Sequence, residues 1–507
     1  MAQQFRYSLE DAIARAGFGK FNFILIGLSG LMLACGFLEA SCINITLPIA
    51  GCELDLTNFQ KGLLGSISYI GIILSSHFWG FMADTRGRKK IIAPALCFSF
   101  LFTVISTFAT SFWFILIFRF LSGFCICAPQ SITYAYLGEF HSVKNRARVL
   151  LIASFLYGFF GLISPLNAFI FINQLNWSIY IPLLDINYGT WRLYLLMCGV
   201  PSVISAIALM ILIPESPKYT YSQGEEARTM KIIQKIYKFN TGKPIEDFEV
   251  KTIEKDSEFS RGNENRSKGF FKFIWYQTVP LFKHPHLKNT LTACYLQFGL
   301  CVASNGFYTF FPEILNKVSI YLNNNPSQTN TVCEVLGNFD KDANISSIVD
   351  NENKACISTL EASTLINVTL LTSLFSILWL ITSLIINRTG KLVIIATILF
   401  AGGISSILIM FIEYPRVSIY LYFLLLIANV NMSIVNASTV ELYPTTLRAM
   451  AVSISLMFGR IGSFSGSNFV GLMIKNYCFY TWLLPAVLSI SGGLLAFTIP
   501  NINKRIK

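Results

Sequence analysis

Twelve apolar stretches, each of about twenty residues and so long enough to cross roughly 30 Å of hydrocarbon as a helix, constrain this chain more than any other feature. They fall near residues 22–49, 60–82, 91–110, 112–137, 149–172 and 191–213, and after a polar gap near 289–312, 361–386, 391–412, 417–440, 450–473 and 478–499. Lipid offers no hydrogen-bond partners, so a spanning segment must pair its own backbone groups or close into a barrel, and the alternating pattern of a barrel is absent. The expected fold is an all-α membrane protein of six plus six helices. Composition agrees: 53% of the 507 residues are hydrophobic and only 13% charged, which excludes a string of soluble domains. The expected units are 1–213, a cytosolic linker at 214–288, and 289–507 with an outward loop at 313–358.

The formal charge of +12 does not mark a nucleic-acid binder, because the bases occupy alternate loops. Arg86, Arg88, Lys89 and Lys90 share one turn, Lys144, Arg146 and Arg148 another, and most of the rest lie between 218 and 288. The intervening loops carry Glu53, Asp55, Asp185, Asp340, Asp342 and Asp350. The positive-inside rule then places both termini and the basic loops in the cytosol. No small-residue cleavage site follows the first run, which is expected to serve as an anchor.

The two halves repeat. Asp84 and Gly87 in "ADTRGRKK" match Asn387 and Gly390 in "INRTGK", each 303 residues apart. Glu139 and Arg146, seven apart, match Glu441 and Arg448 at an offset of 302. Two turns recurring at nearly one spacing indicate a duplicated six-helix unit, an arrangement that builds carriers rocking about a midplane site.

"GFMADTRGRKK", "FRFLSGF" at 118–124 and "PESPKY" at 214–219 resemble motifs of the major facilitator superfamily in its sugar-porter and organic-ion branch. Within it, "TLPIAGCELDLTNFQKGLLGSISYIGI", "FYTFFPEIL" and "STVELYPTTLRAMAVS" are most similar to the synaptic vesicle glycoprotein 2 family and its insect relatives. The resemblance implies a cytoplasmic network of Asp84, Arg88, Glu139, Arg146, Glu441 and Arg448 that links the halves when the cavity faces outward. Asn387 and Lys391 depart from the expected acid and arginine, which makes that latch lopsided.

Ionisable side chains inside a bundle are costly and mark pathways or pairs. Glu39 interrupts the first run, Arg119 the fourth and Arg460 the eleventh. The resemblance places Glu39 and Arg119 on cavity-lining helices. Arg460 or Arg119 is expected to hold an anionic group, with Glu39 as proton carrier or counter-charge, or else Glu39 pairs with an Arg and only completes the bundle. Gln297, Asn305 and Tyr308 in the seventh run and Asn429, Asn431 and Asn436 in the tenth either line a polar path or tie helices together. In the linker, Ala227, Met230, Ile233 and Ile236 or Tyr237 are spaced as an amphipathic helix.

Cys333 and Cys356 share one outward loop and are candidates for a disulfide, while Asn176 and Asn344 lie in outward glycosylation sequons. No phosphate loop, metal-ligand cluster or catalytic triad stands out, so neither enzyme activity nor a cofactor nor a metal is expected. The chain reads as a multi-pass secondary carrier, functional as a monomer, moving a small polar or charged organic solute, with a lean toward anions and coupling to a solute, proton or cation gradient. The competing reading is a vesicle-type membrane glycoprotein with a trafficking or binding role. Plasma membrane and vesicle membrane suit the topology equally.

Overall fold

The computed structural model describes residues 7–173, 177–182, 185–253, 275, 278–324, 330–337, 360–443 and 445–498. Ten of the described helices are long and apolar enough to cross a membrane, among them Lys20–Glu53, Asn58–Arg86, Phe112–Glu139 and Lys391–Phe411. The seventh and eleventh apolar runs complete the twelve. The eleventh is one helix, Thr445–Met473, whereas the seventh runs from Leu287 to Cys301, loosens into a π turn at Val302–Gly306 and resumes as Phe311–Asn324. The tenth tightens in the middle, with Pro415–Leu426 and Asn431–Leu442 joined by a 3-10 turn at Ile427–Val430.

Local chemistry sets the helix ends. Thr57 and Gln60 form a reciprocal capping box at the start of the second span, satisfying backbone donors that a helix leaves open. Between spans two and three the chain reverses at Gly87 with φ 106°, and between spans eight and nine at Gly390 with φ 83°. That backbone region suits only glycine without strain. The duplicated "Asp/Asn-x-x-Gly" turn is thus also a duplicated conformation.

The halves meet along spans two and eleven, which run antiparallel. At one end Ser467 Oγ donates to the Gly62 carbonyl at 3.2 Å and Asn468 Nδ2 to Ser66 Oγ at 3.0 Å. A side chain at Gly62 would stand 2.9 Å from the Ser467 carbonyl, so only glycine permits this approach. Beside this seam Lys61 Nζ bridges to Glu313 Oε1 of the seventh span at 2.8 Å. The same end carries a hairpin, Ile179–Ile181 paired with Ile186–Tyr188.

The opposite, basic end is covered by chain from outside the spans. Helix Leu9–Arg15 lies against the linker, with Arg15 paired to Glu249 and Tyr7 bridged to Ile253. The linker helix Glu226–Thr241 docks through Thr229, Ile232, Ile233 and Ile236. Ile233 and Ile236 are on the expected face. Ala227 is exposed and Met230 only half-buried, because the buried stripe is rotated toward Ile232.

Two other expectations are corrected. Residues 313–324 are helix and not loop: Phe311, Ile314, Leu315, Val318 and Tyr321 recur at helical spacing and are all buried. Cys333 is bonded to Cys478 at the start of the twelfth span, with Cα atoms 5.6 Å apart, and not to Cys356, which lies outside the described residues. Loop membership suggested the first pairing, but the segment at 332–337 packs beside the twelfth span. Cys52 also stands in a disulfide. Asn176 and Asn344 fall outside the described residues.

Candidate functional site

The basic turn that opens the repeat is the centre of a charge cluster. Arg88 reaches Asp84 and Glu139, both at 3.0 Å, and its guanidinium covers the Tyr219 ring at 5.2 Å. Lys89 Nζ donates to the Met210 and Ile213 carbonyls at 2.9 and 2.7 Å, closing the open end of the sixth span. Glu215 of "PESPKY" accepts from the Lys89 and Ser216 amides, and Ser216 in turn caps helix Pro217–Ser222. Three separated motifs therefore build one structure.

Arg146 departs from the expected network. It donates to Glu10 at 2.9 Å and to the Gly138 carbonyl at 3.1 Å, and Lys218 meets the same Glu10. Burial pushes the Glu10 carboxyl up, but hydrogen bonds and charge from Lys218 and Arg146 outweigh it and hold the carboxyl below its ordinary value. His141 rests between Asn22 Nδ2 at 2.9 Å and the Leu137 carbonyl at 2.8 Å, and burial lowers its pKa. Glu441 and Arg448 have side chains outside the described ones. Among the described residues no ion pair joins the halves at the basic end, so the expected latch is seen here only as a cluster within the first half. The charge bridge that does join the halves, Lys61 to Glu313, sits at the hairpin end.

Glu39 and Arg119 pair, but not on a cavity wall. Arg119 Nη1 stands 3.2 Å from Glu39 Oε2, and both side chains are essentially inaccessible. Thr103 and Ser122 donate to the same carboxylate oxygen at 2.6 and 3.1 Å, and Cys42 Sγ lies 3.4 Å from Arg119 Nη2. The pair ties spans one, three and four inside the first half. An Arg and a Glu at this depth are stabilised by each other and by added hydrogen bonds, while Glu39 Oε1 and Arg119 Nε are buried without a hydrogen-bond partner.

Arg460 is different. It is half-buried and has no ion-pair partner among the described residues, while its field reaches Tyr69 and His77 of the second span. One turn farther along, Ser463 accepts from Asn305 Nδ2 at 3.2 Å, and Asn429 Nδ2 donates to Asn305 Oδ1 at 3.3 Å. These amides sit at the π turn of span seven and the 3-10 turn of span ten, where the backbone departs from regular helix. Gln297 is fully buried against Gly459 and neither of its amide atoms has a partner. Asn431 instead donates to the Ile395 carbonyl at 3.1 Å, inside the second half, and Asn436 Oδ1 is unpaired.

Aromatic rings from both halves approach this region. Tyr308 faces Phe37 across the interface with centroids 6.4 Å apart, and Tyr157 faces Trp379 at 5.3 Å. The Trp379 Nε1 is buried and unpaired. Of these four only Tyr308 was expected, since aromatic residues in a spanning helix are commonest against lipid.

The profile of the Major Facilitator Superfamily matches residues 29–323, more than half of the chain. The chain is 25% identical over 329 residues to synaptic vesicle glycoprotein 2B of Homo sapiens, and 26% identical over 331 residues to synaptic vesicle glycoprotein 2C of Mus musculus. Each match takes in 62% of this chain and 48% or 45% of the relative, so the chain matches about half the length of these curated relatives. Among solved structures, the partially occluded inward-open conformation of the xylose transporter XylE from E. coli superposes with a TM-score of 0.65, covering 95% of this chain and 100% of that one at 14% identity. With twelve helical spans and a repeated glycine turn, this chain is a multi-pass membrane protein that belongs to the Major Facilitator Superfamily and is similar to the synaptic vesicle glycoprotein 2 proteins.

Proposed function

We propose that the protein is a secondary carrier of a small organic anion, working by alternating access with the basic end in the cytosol. The observation that carries this reading is Arg460, a cation without a counter-charge among the described residues, next in the chain to Gly459, against which Gln297 packs with its amide unpaired. A cation at that depth is held at a cost that an anionic ligand offsets. The polar turns at Asn305 and Asn429 supply hydrogen-bonding groups, and Tyr157, Tyr308 and Trp379 supply flat apolar surfaces. Such a lining suits a solute with one charged group and a hydrophobic body.

The conformation supports the mechanism. The seam at Gly62 and Ser467 and the Lys61 to Glu313 bridge hold the hairpin end together. The structural neighbour is described as partially occluded and inward open, in keeping with the closed contacts at the hairpin end. Return to the outward state requires these contacts to break while charges at the basic end pair across the halves, the two-state exchange that a carrier needs. Glu39 then serves as the counter-charge of Arg119 and braces the first half.

The test is uptake into proteoliposomes of a panel of organic anions, cations and sugars, with and without a pH gradient, by the wild type and Arg460→Gln. Anion uptake that Arg460→Gln abolishes, in a protein of unchanged thermal stability, is the expected result. Uptake of cations or sugars that ignores Arg460 overturns the anion assignment. Absence of uptake across the panel favours the second reading, a binding or trafficking membrane glycoprotein, to which the synaptic vesicle relatives point.

A further inference from the structure

A charged concavity lies at the basic end, where spans three and six meet the linker. It encloses about 580 Å³ and is lined by Lys89, Lys90, Arg228, Lys231 and Lys235, with Glu215 the one acid in the lining among the described residues. Glu215 accepts from the Lys89 and Ser216 amides through Oε1, while its Oε2 is buried without a hydrogen-bond partner, and Lys89 Nζ donates to two carbonyls. Arg228 pairs with the exposed Glu225 at 2.9 Å. Lys90, Lys231 and Lys235 are exposed and have no acidic partner among the described residues.

Arg228, Lys231 and Lys235 are spaced i, i+3 and i+7, which stacks them on one face of helix Glu226–Thr241 over roughly 10 Å. That helix is anchored by Ile232, Ile233 and Ile236 and by a 2.8 Å hydroxyl bond between Thr220 and Thr229, so the cations stand on a fixed wall. The rest of the described lining is apolar: Ala93, Pro94, Met210, Pro214 and Ile232. One and two turns beyond Pro94 on the same face, Phe98 and Leu101 are 51% and 47% exposed, and Ile207 and Ile211 flank Met210 at 50% and 74%. A cluster of cations therefore opens onto a strip of lipid-facing helix.

We propose that this pocket binds an anionic membrane lipid with a multiply phosphorylated headgroup. The phosphates lie among Lys90, Arg228, Lys231 and Lys235, and the acyl chains run along the exposed strip of spans three and six. Several free cations within one headgroup's width favour a polyphosphate over a singly charged headgroup, and the apolar strip favours a lipid over a soluble phosphate. The bound lipid would cross-link the linker helix to the first half, close to the Arg88 cluster.

The experiment uses the full chain in nanodiscs, which expose both faces and so make the result independent of which face is cytosolic. The probe is phosphatidylinositol bisphosphate in a phosphatidylcholine background, read by native mass spectrometry, with phosphatidylserine and soluble inositol trisphosphate as separate arms. The expected result is saturable retention of the bisphosphate lipid, weakened roughly fivefold per cation removed in Lys231→Gln and Lys235→Gln, and about 25-fold in the double variant. Lys144→Gln with Arg148→Gln, which removes two exposed cations of the same face outside the pocket, is expected to leave retention unchanged. Equal losses in both double variants would mean diffuse surface attraction and overturn the proposal. So would equal retention of phosphatidylserine, or binding of inositol trisphosphate as tight as that of the lipid.

Discussion

Glu313→Gln tests whether the ion pair at the hairpin end holds the closed state. Glu313 Oε1 lies 2.8 Å from Lys61 Nζ and 3.7 Å from Lys317 Nζ, and the side chains of Glu313 and Lys61 are only 10% and 12% exposed. Removing one member of a fully buried pair costs about 3–5 kcal/mol because the other charge is left uncompensated. Here the glutamine oxygen still accepts and Lys61 keeps a little water, so about 2 kcal/mol is reasonable, a roughly 30-fold shift toward the state open at that end. Nitroxide labels placed through unnatural amino acids at Phe59 and Tyr477, both exposed, would leave the native cysteines intact. Electron–electron resonance should then show a long-distance population that the wild type lacks. Lys61→Met with Glu313→Leu replaces the pair by apolar groups of similar size and should restore the short distance. An unchanged distribution in Glu313→Gln, or further opening in the double variant, would refute the latch.

Three further outcomes are expected. Glu39→Gln leaves the inaccessible Arg119 without a counter-charge and should lower stability by about 3–5 kcal/mol, read as a fall in melting temperature that Glu39→Gln with Arg119→Met largely reverses; a variant that loses uptake at full stability would instead make Glu39 a coupling group. Non-reducing peptide mapping should recover Cys333 joined to Cys478, and Cys333→Ser should destabilise the protein by up to about 5 kcal/mol, the chain-entropy figure for a loop of sequence separation 145; recovery of a Cys333–Cys356 peptide would overturn that pairing. Because the folded Glu10 carboxyl is held below the ordinary 4.5, its contribution is present above that pH and fades as pH falls through the lower folded value. Limited proteolysis near Lys243 should therefore quicken on acidification, and Glu10→Gln should be cleaved as fast at neutral pH as the wild type is in acid.

Much of the fold was legible because one physical quantity, the thickness of hydrocarbon, demands runs of a length that can be read directly. The duplicated turn was legible too, since Gly87 and Gly390 must adopt a conformation that other residues resist. Charges were harder. Glu39 and Arg119 announced themselves as intramembrane ions, but periodicity does not say whether a helix face meets a cavity or a neighbouring helix. Lys61 and Glu313 looked like ordinary loop-edge residues, 252 apart, until the second and seventh spans were brought side by side.

By itself the sequence determined the number of spans, the repeat, the segregation of bases to one end and the glycine turns, all of which follow from local composition and backbone stereochemistry. Only the tertiary structure decided that Cys333 meets Cys478, that Arg119 is paired while Arg460 has no ion-pair partner among the described residues, and that the halves are bridged at the hairpin end. Those outcomes depend on the rotation and tilt of each helix in the bundle, which are set by the packing of all its neighbours at once.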